Sequence, residues 1–325
     1  MALVTRLTQQ LGIEMPILSA PMAFAAGANL ATAVSAAGGL GLIGGGYGDK
    51  DWVEAEFKAA GNHAVGGGFI TWSLAKHPEV LDVALSYSPR AIMLSFGNPQ
   101  PFSARIKDAG AQLICQIQTR RDAEQAIACG ADIIVAQGAE AGGHGEKRAT
   151  LTLVPEVADL IAARAPHTLL CAAGGIADGR GLAAVLALGA DGALIGSRLW
   201  ASVEANVSER MHTAALAATG DDTIRSQVMD LARKLDWPER YTARVLRNAF
   251  TARWHGREAE LMTVADEEAA KYRAAWAAGD PDNANTFVGE GAGLIHAIQP
   301  ASEILERIVQ EAEACIVRAG TLVAR

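Results

Sequence analysis

His144 ends a glycine-flanked stretch, Gln137-Gly138-Ala139-Glu140-Ala141-Gly142-Gly143-His144, and the other six histidines lack such surroundings. An imidazole with an ordinary pKa near 6.5 can take a proton at neutral pH, and small neighbours let a planar ligand approach the backbone. His63, His77, His167 and His212 fall near predicted turns or helix surfaces, His255 in a long insertion and His296 after a late glycine-rich loop. Two more stretches suit an anion. Ala172-Ala173-Gly174-Gly175-Ile176 runs through Asp178-Gly179-Arg180-Gly181 into a helical segment, and Gly196-Ser197-Arg198 follows another apolar run. Backbone amides freed by such turns can hold a phosphate. Ala20-Pro21-Met22 is a fourth, weaker signal, pairing a fixed φ with a polarizable side chain.

These residues need elements that bring them to one place. Apolar runs at Pro16–Ala20, Leu40–Ile43, Ala64–Ile70, Ala91–Ser95, Gln112–Gln116, Ile133–Ala136, Thr168–Ala172 and Ala193–Ile195 read as eight strands. Helix-like segments alternate with them, among them Leu30–Ala37, Asp51–Ala60, Pro78–Leu85, Arg120–Cys129, Pro155–Ala165 and Gly181–Leu188. Strands buried on both faces give continuous apolar runs, so the pattern predicts an α/β fold, a (β/α)8 barrel, with a doubly wound sheet as runner-up. In such a barrel the active site lies at the strand ends, where all four stretches fall. Gly39, Gly41 and Gly44 spell a dinucleotide fingerprint, but they follow a helix and run through a strand, the reverse of the required order. From Glu204 to Ala278 the chain is rich in Ala, Arg and Glu, which predicts three or four helices, and Pro300–Arg318 has helical spacing. The expected organisation is a barrel over 1–203 and 286–325, with a helical lid over 204–285 inserted after the eighth strand and capping the site.

The composition narrows the partners. The 325 residues are 50% hydrophobic with 34 glycines, which excludes disorder, and four scattered cysteines exclude a disulfide scaffold. A net charge of −8 repels polyanions, so neither nucleic acid nor an anionic membrane is an expected partner. No signal-peptide pattern opens the chain and no apolar stretch reaches about 18 residues, so a cytoplasmic protein is expected. The oligomeric state stays open, a homodimer being one option.

Together the motifs resemble the nitronate monooxygenase family, formerly 2-nitropropane dioxygenases, through Pro16 to Met22, Ala37 to Gly41, Gln137 to His144, Ala172 to Leu182 and Gly196-Ser197-Arg198. The resemblance implies FMN on a TIM barrel. It places Ala20, Pro21 and Met22 against the flavin, with Thr71, Gln116, Gln137, Gly142 and Gly143 as further contacts. Gln116 takes a position that holds Lys in some relatives. Ala173, Gly174, Gly175, Gly196 and Ser197 would hold the phosphate. The resemblance makes His144 the catalytic base toward a nitroalkane or its nitronate. The nitronate would give an electron to FMN, and reduced flavin would react with O2 to yield a carbonyl compound and nitrite. No second charged catalytic group is demanded.

One departure concerns Gly145-Glu146-Lys147-Arg148, since many nitronate enzymes carry Arg directly after the His; Lys147 or Arg148 is the expected substitute. Two other functions share the motifs: an FMN- and NAD(P)H-dependent enoyl-acyl carrier protein reductase and an NADH:quinone reductase. A non-enzymatic FMN-binding barrel and a synthase acting on a phosphate ligand are further options.

Overall fold

The computed structural model describes residues 3–323; the ends of the predicted barrel unit, residues 1–2 and 324–325, lie outside them. The described residues form eleven strands in chain order: β1 Ile17–Ser19, β2 Leu42–Gly44, β3 Gly66–Ile70, β4 Ala91–Ser95, β5 Gln112–Ile117, β6 Ile133–Gln137, β7 Gly143–Gly145, β8 Leu169–Ala173, β9 Gly192–Ile195, β10 Thr223–Ser226 and β11 Thr242–Leu246. Eight of them form one parallel sheet in the order β1-β9-β8-β6-β5-β4-β3-β2. The sheet closes between β1 and the residues entering β2. Leu18 bridges Leu40 in parallel, and the Ser19 and Leu40 amides donate to the Leu40 and Ile17 carbonyls, each at 3.0 Å. The (β/α)8 barrel expected from the apolar runs is therefore the fold, and each predicted strand lies within two residues of an observed one.

Alternation along β6 shows why those runs are continuous. Ile133 and Val135 pack into the barrel interior with Leu18, Met93, Ile114 and Cys171, whereas Ile134 and Ala136 pack outward against the helices. Both faces are dry, so no polar residue occurs in the strand before Gln137 at its C-terminal end. The helix Arg6–Leu11 plugs the far end of the barrel with Leu7 and Leu11. The C-terminal helix Ala301–Gly320 packs back on the helices Gly179–Ala187 and Ala28–Ala36. Among the described residues no helix is long and apolar enough to cross a membrane.

The insertion corrects the expectation of a purely helical lid. It holds the helices Glu209–Leu216, Val228–Ala232, Ala249–Trp254, Glu258–Thr263 and Ala265–Ala277, but also β10 and β11. These two strands form an antiparallel sheet whose third member is β7, from the His144 loop itself, with Ala243 opposite His144. Strands of four and five residues, each with an arginine in the middle, leave almost no local signal. The β7 partner of β11 lies about a hundred residues away in sequence, so that pairing is invisible to periodicity. A second apolar cluster, including Trp200, Met211, Val245, Phe250, Trp254 and Val288, underlies this layer.

Candidate active site

At the C-terminal ends of the barrel strands, beneath the insertion, lies a cavity of about 340 Å³, within the range of small-molecule and cofactor sites. Its wall contains Ala20, Pro21, Met22, Gln116, Gln137, Gly142, Gly143, His144, Ala173, Gly174, Gly175, Gly196 and Ser197. Twelve of these were singled out as flavin contacts and one as a base, and the fold brings all thirteen together. Thr71 is the exception: it opens the short helix Thr71–Leu74 behind the wall, which Ile70 reaches in its place. Among the described histidines, only His144 borders the cavity.

The end formed by β8 and β9 is built for an anion. Gly174 and Gly175 follow β8 at φ of 100° and 76°, a left-handed turn that a side chain would strain. The Thr150 hydroxyl lies between the Gly174 carbonyl at 3.0 Å and Glu140 Oε2 at 2.9 Å, and Glu140 also accepts from the Thr150 amide. Gly196 leads into the short helix Ser197–Trp200, and a Cβ there would meet only that of Ala20, at 3.6 Å. This open space beside two turns is a cradle that fits a phosphate-bearing cofactor. The adjacent Arg198 is structural: it is buried, donating to the Ala201 carbonyl at 3.0 Å and to Gln299 Oε1 at 2.8 Å. Behind the turn, Asp178 accepts from the Arg180 and Gly181 amides and caps the helix Gly179–Ala187. Asp178→Ala should lower stability by about 1 kcal/mol, read as a shift in the urea midpoint at unchanged slope.

Glycine at 142 answers a different need from the one the sequence suggested. A Cβ there would come within 2.6 Å of the Val288 carbonyl carbon, because the late loop crosses the backbone at this point. The Glu290 amide donates to the Glu140 carbonyl at 2.9 Å, and the Gly289 amide to Ser197 Oγ at 2.9 Å. One loop thus joins the turn after β9 to the stretch that leads into the strand carrying His144. At the end of β6, Gln137 Oε1 accepts from Gln116 Nε2 at 3.1 Å and Gln118 Nε2 at 2.7 Å, a buried polar strip.

His144 is 8% exposed, and its Nε2 lies 2.8 Å from Asp230 Oδ2. A carboxylate accepts only, so Nε2 carries the proton and the ring lone pair sits on Nδ1. Burial pushes the imidazole below its usual pKa, and the Asp230 hydrogen bond and charge oppose that shift. A neutral ring with one nitrogen held by a carboxylate is a competent base at neutral pH. The indole of Trp237 stacks on it at 3.4 Å and 6°, and Phe96 meets both rings edge-on.

Sequence reasoning missed Asp230, Arg233 and Trp237. All three come from the insertion, where no motif marks them and where only the β7–β11 pairing brings them to His144. No second charged catalytic group was expected, and Asp230 stands beside His144 as a hydrogen-bond partner of its ring. The expected anion partners are corrected. Lys147 is exposed, Arg148 pairs with Glu156, and neither borders the cavity, whereas Arg233 does. Glu146 is drawn away by Arg240, which also pairs with Asp122.

The parallel barrel, with its glycine turns at β8 and β9 and its buried His144–Asp230 pair beneath the insertion, is that of an oxidoreductase by its relatives. Residues 4–67 and 70–311 match the nitronate monooxygenase family, and the chain belongs to that family, in which flavin binding is general. It is 30% identical to a nitronate monooxygenase of Neurospora crassa, over 91% of this chain and 89% of the other. It is also 30% identical to the (3aS,4S,5R,7aS)-5-hydroxy-7a-methyl-1-oxo-octahydro-1H-indene-4-carboxyl-CoA dehydrogenase of Mycobacterium tuberculosis, covering 99% and 100%. Among solved structures it resembles FabK from Thermotoga maritima with a TM-score of 0.88 and 32% identity, covering 99% of this chain and 100% of that one.

Proposed function

We propose that the protein is an FMN-dependent nitronate monooxygenase that converts alkyl nitronates and O2 to a carbonyl compound and nitrite. The observation that carries this reading is the neutral, buried His144 fixed by Asp230 in the cavity wall. Ala173, Gly174, Gly175, Gly196 and Ser197 would hold the FMN phosphate. Ala20, Pro21 and Met22 would meet the ring, with Gln116, Gln137, Gly142 and Gly143 around it, and Thr71 would support it from behind. Residues 204–285 would act as the substrate lid. Bound there, the flavin supplies the redox chemistry. The protein's part is to desolvate the substrate, hold it and move one proton. With a neutral nitroalkane, the site holds neutral His144, anionic Asp230 and cationic Arg233. After Nδ1 takes the α-proton, the imidazolium and the nitronate anion again sum with that pair to zero. Proton transfer creates an imidazolium and a nitronate in a water-poor chamber, and Asp230 beside the first with Arg233 in the wall for the second would offset the cost of separating those charges.

The dehydrogenase and FabK likenesses favour a second reading, an NAD(P)H-dependent reductase acting on an acyl thioester. Anaerobic mixing separates the two. The nitronate of 2-nitropropane should bleach the flavin absorbance while NADH at the same concentration leaves it unchanged; rapid bleaching by NADH would overturn the nitronate assignment.

A further inference from the structure

We infer that Arg233 and Asn285 form a subsite for the two oxygens of the substrate's nitro group, an inference that rests on the nitronate reading above. Asn285 is 1% exposed and borders the cavity, yet its Oδ1 and Nδ2 have no hydrogen-bond partner within the protein. Only its backbone is engaged, the amide donating to Tyr272 Oη at 3.3 Å. A buried amide left this way carries a desolvation penalty that a bound ligand group would remove. Arg233 is partly in the same condition, its guanidinium engaged on one side by Tyr47. Its Nη1 is buried without a hydrogen-bond partner, and Asp230 Oδ1, itself unpartnered, stands 4.0 Å away, beyond hydrogen-bond length.

The two side chains share a neighbour. Tyr272 accepts from the Asn285 backbone and feels the Arg233 charge. The Arg233 guanidinium also lies over the Tyr47 ring at 5.1 Å, which fixes its plane. The cavity wall thus holds a planar cation whose plane is fixed and an amide whose polar atoms are free to take a ligand. A nitronate spreads its negative charge over two oxygens in one plane, and a guanidinium with a neighbouring N–H donor matches that geometry. No cation at 147 or 148 can take this part, since neither borders the cavity. The subsite would thereby fill the place left by the absent Arg after His144.

Nitrate, a planar oxyanion, is the probe. The flavin-loaded protein is titrated with sodium nitrate at constant ionic strength, and binding is read by calorimetry. R233Q and N285D should each weaken nitrate binding by about tenfold or more while the flavin spectrum is retained. R233Q should also raise KM for the nitronate more than it lowers kcat. Nitrate affinity equal to the wild type in both variants would overturn the subsite, as would the absence of saturable nitrate binding to the wild type. If N285D fails to fold, the R233Q titration decides alone. The titration needs no turnover, so its failure is distinguishable from flavin bleaching by NADH, which would sink the nitronate reading itself.

Discussion

Replacing His144 with asparagine should lower nitroalkane turnover by roughly 10² to 10⁴, the usual contribution of a general base, while the yellow flavin spectrum persists. The structure separates the two readouts. His144 belongs to the β7–β11 ladder, whereas the anion cradle is made by backbone at β8 and β9. Asparagine keeps a polar group near Asp230 but has no nitrogen that titrates near neutral pH. A preformed nitronate, already missing its α-proton, should be affected far less than the neutral nitroalkane. Equal loss with both substrates would show that His144 acts by binding rather than by taking the proton, and unchanged turnover would remove it as the base.

Asp230→Asn should give the second large effect, a fall in nitroalkane turnover of about 10- to 10³-fold, below the loss in a serine-protease triad, where the equivalent change costs about 10⁴. Asp230 is a positioning residue, acting through the imidazole. An amide at 230 can donate to Nε2 and so favour the wrong tautomer, with the proton on Nδ1. A pH profile tests the mechanism. Burial lowers the His144 pKa and Asp230 partly restores it, so removing the carboxylate should lower that pKa further. The imidazole is active when neutral, and the acid limb of kcat/KM should therefore move to lower pH. A limb that stays in place, or moves up, would mean that Asp230 does not govern the proton on His144.

The contrast between barrel and lid explains what the sequence disclosed. The strands of the barrel are dry on both sides, so Ile133-Ile134-Val135-Ala136 can be recognised without knowing its neighbours, and so can the paired glycines at 174 and 175. Asp230 could not be recognised in this way. Its role depends on Ala243 lying opposite His144, a contact between segments about a hundred residues apart, and a single carboxylate in a five-residue helix carries no signature. Gly142 was legible as a residue and not as a reason, because the Val288 backbone that excludes a side chain there belongs to a loop whose course only the fold reveals. Thr71 is a different case. It follows a correctly placed strand but opens a helix, and the cavity wall includes Ile70 rather than Thr71.

The three-stranded sheet of β7, β10 and β11 carries a consequence for how this protein can change. His144, the proposed base, is hydrogen-bonded, strand to strand, to the insertion that supplies Asp230, Trp237 and Arg233. A substitution that reshapes the insertion to admit a new substrate also disturbs the alignment of the base. Selectivity and reactivity are therefore inherited together, and new substrates are most accessible through changes on the cavity wall that leave this ladder intact.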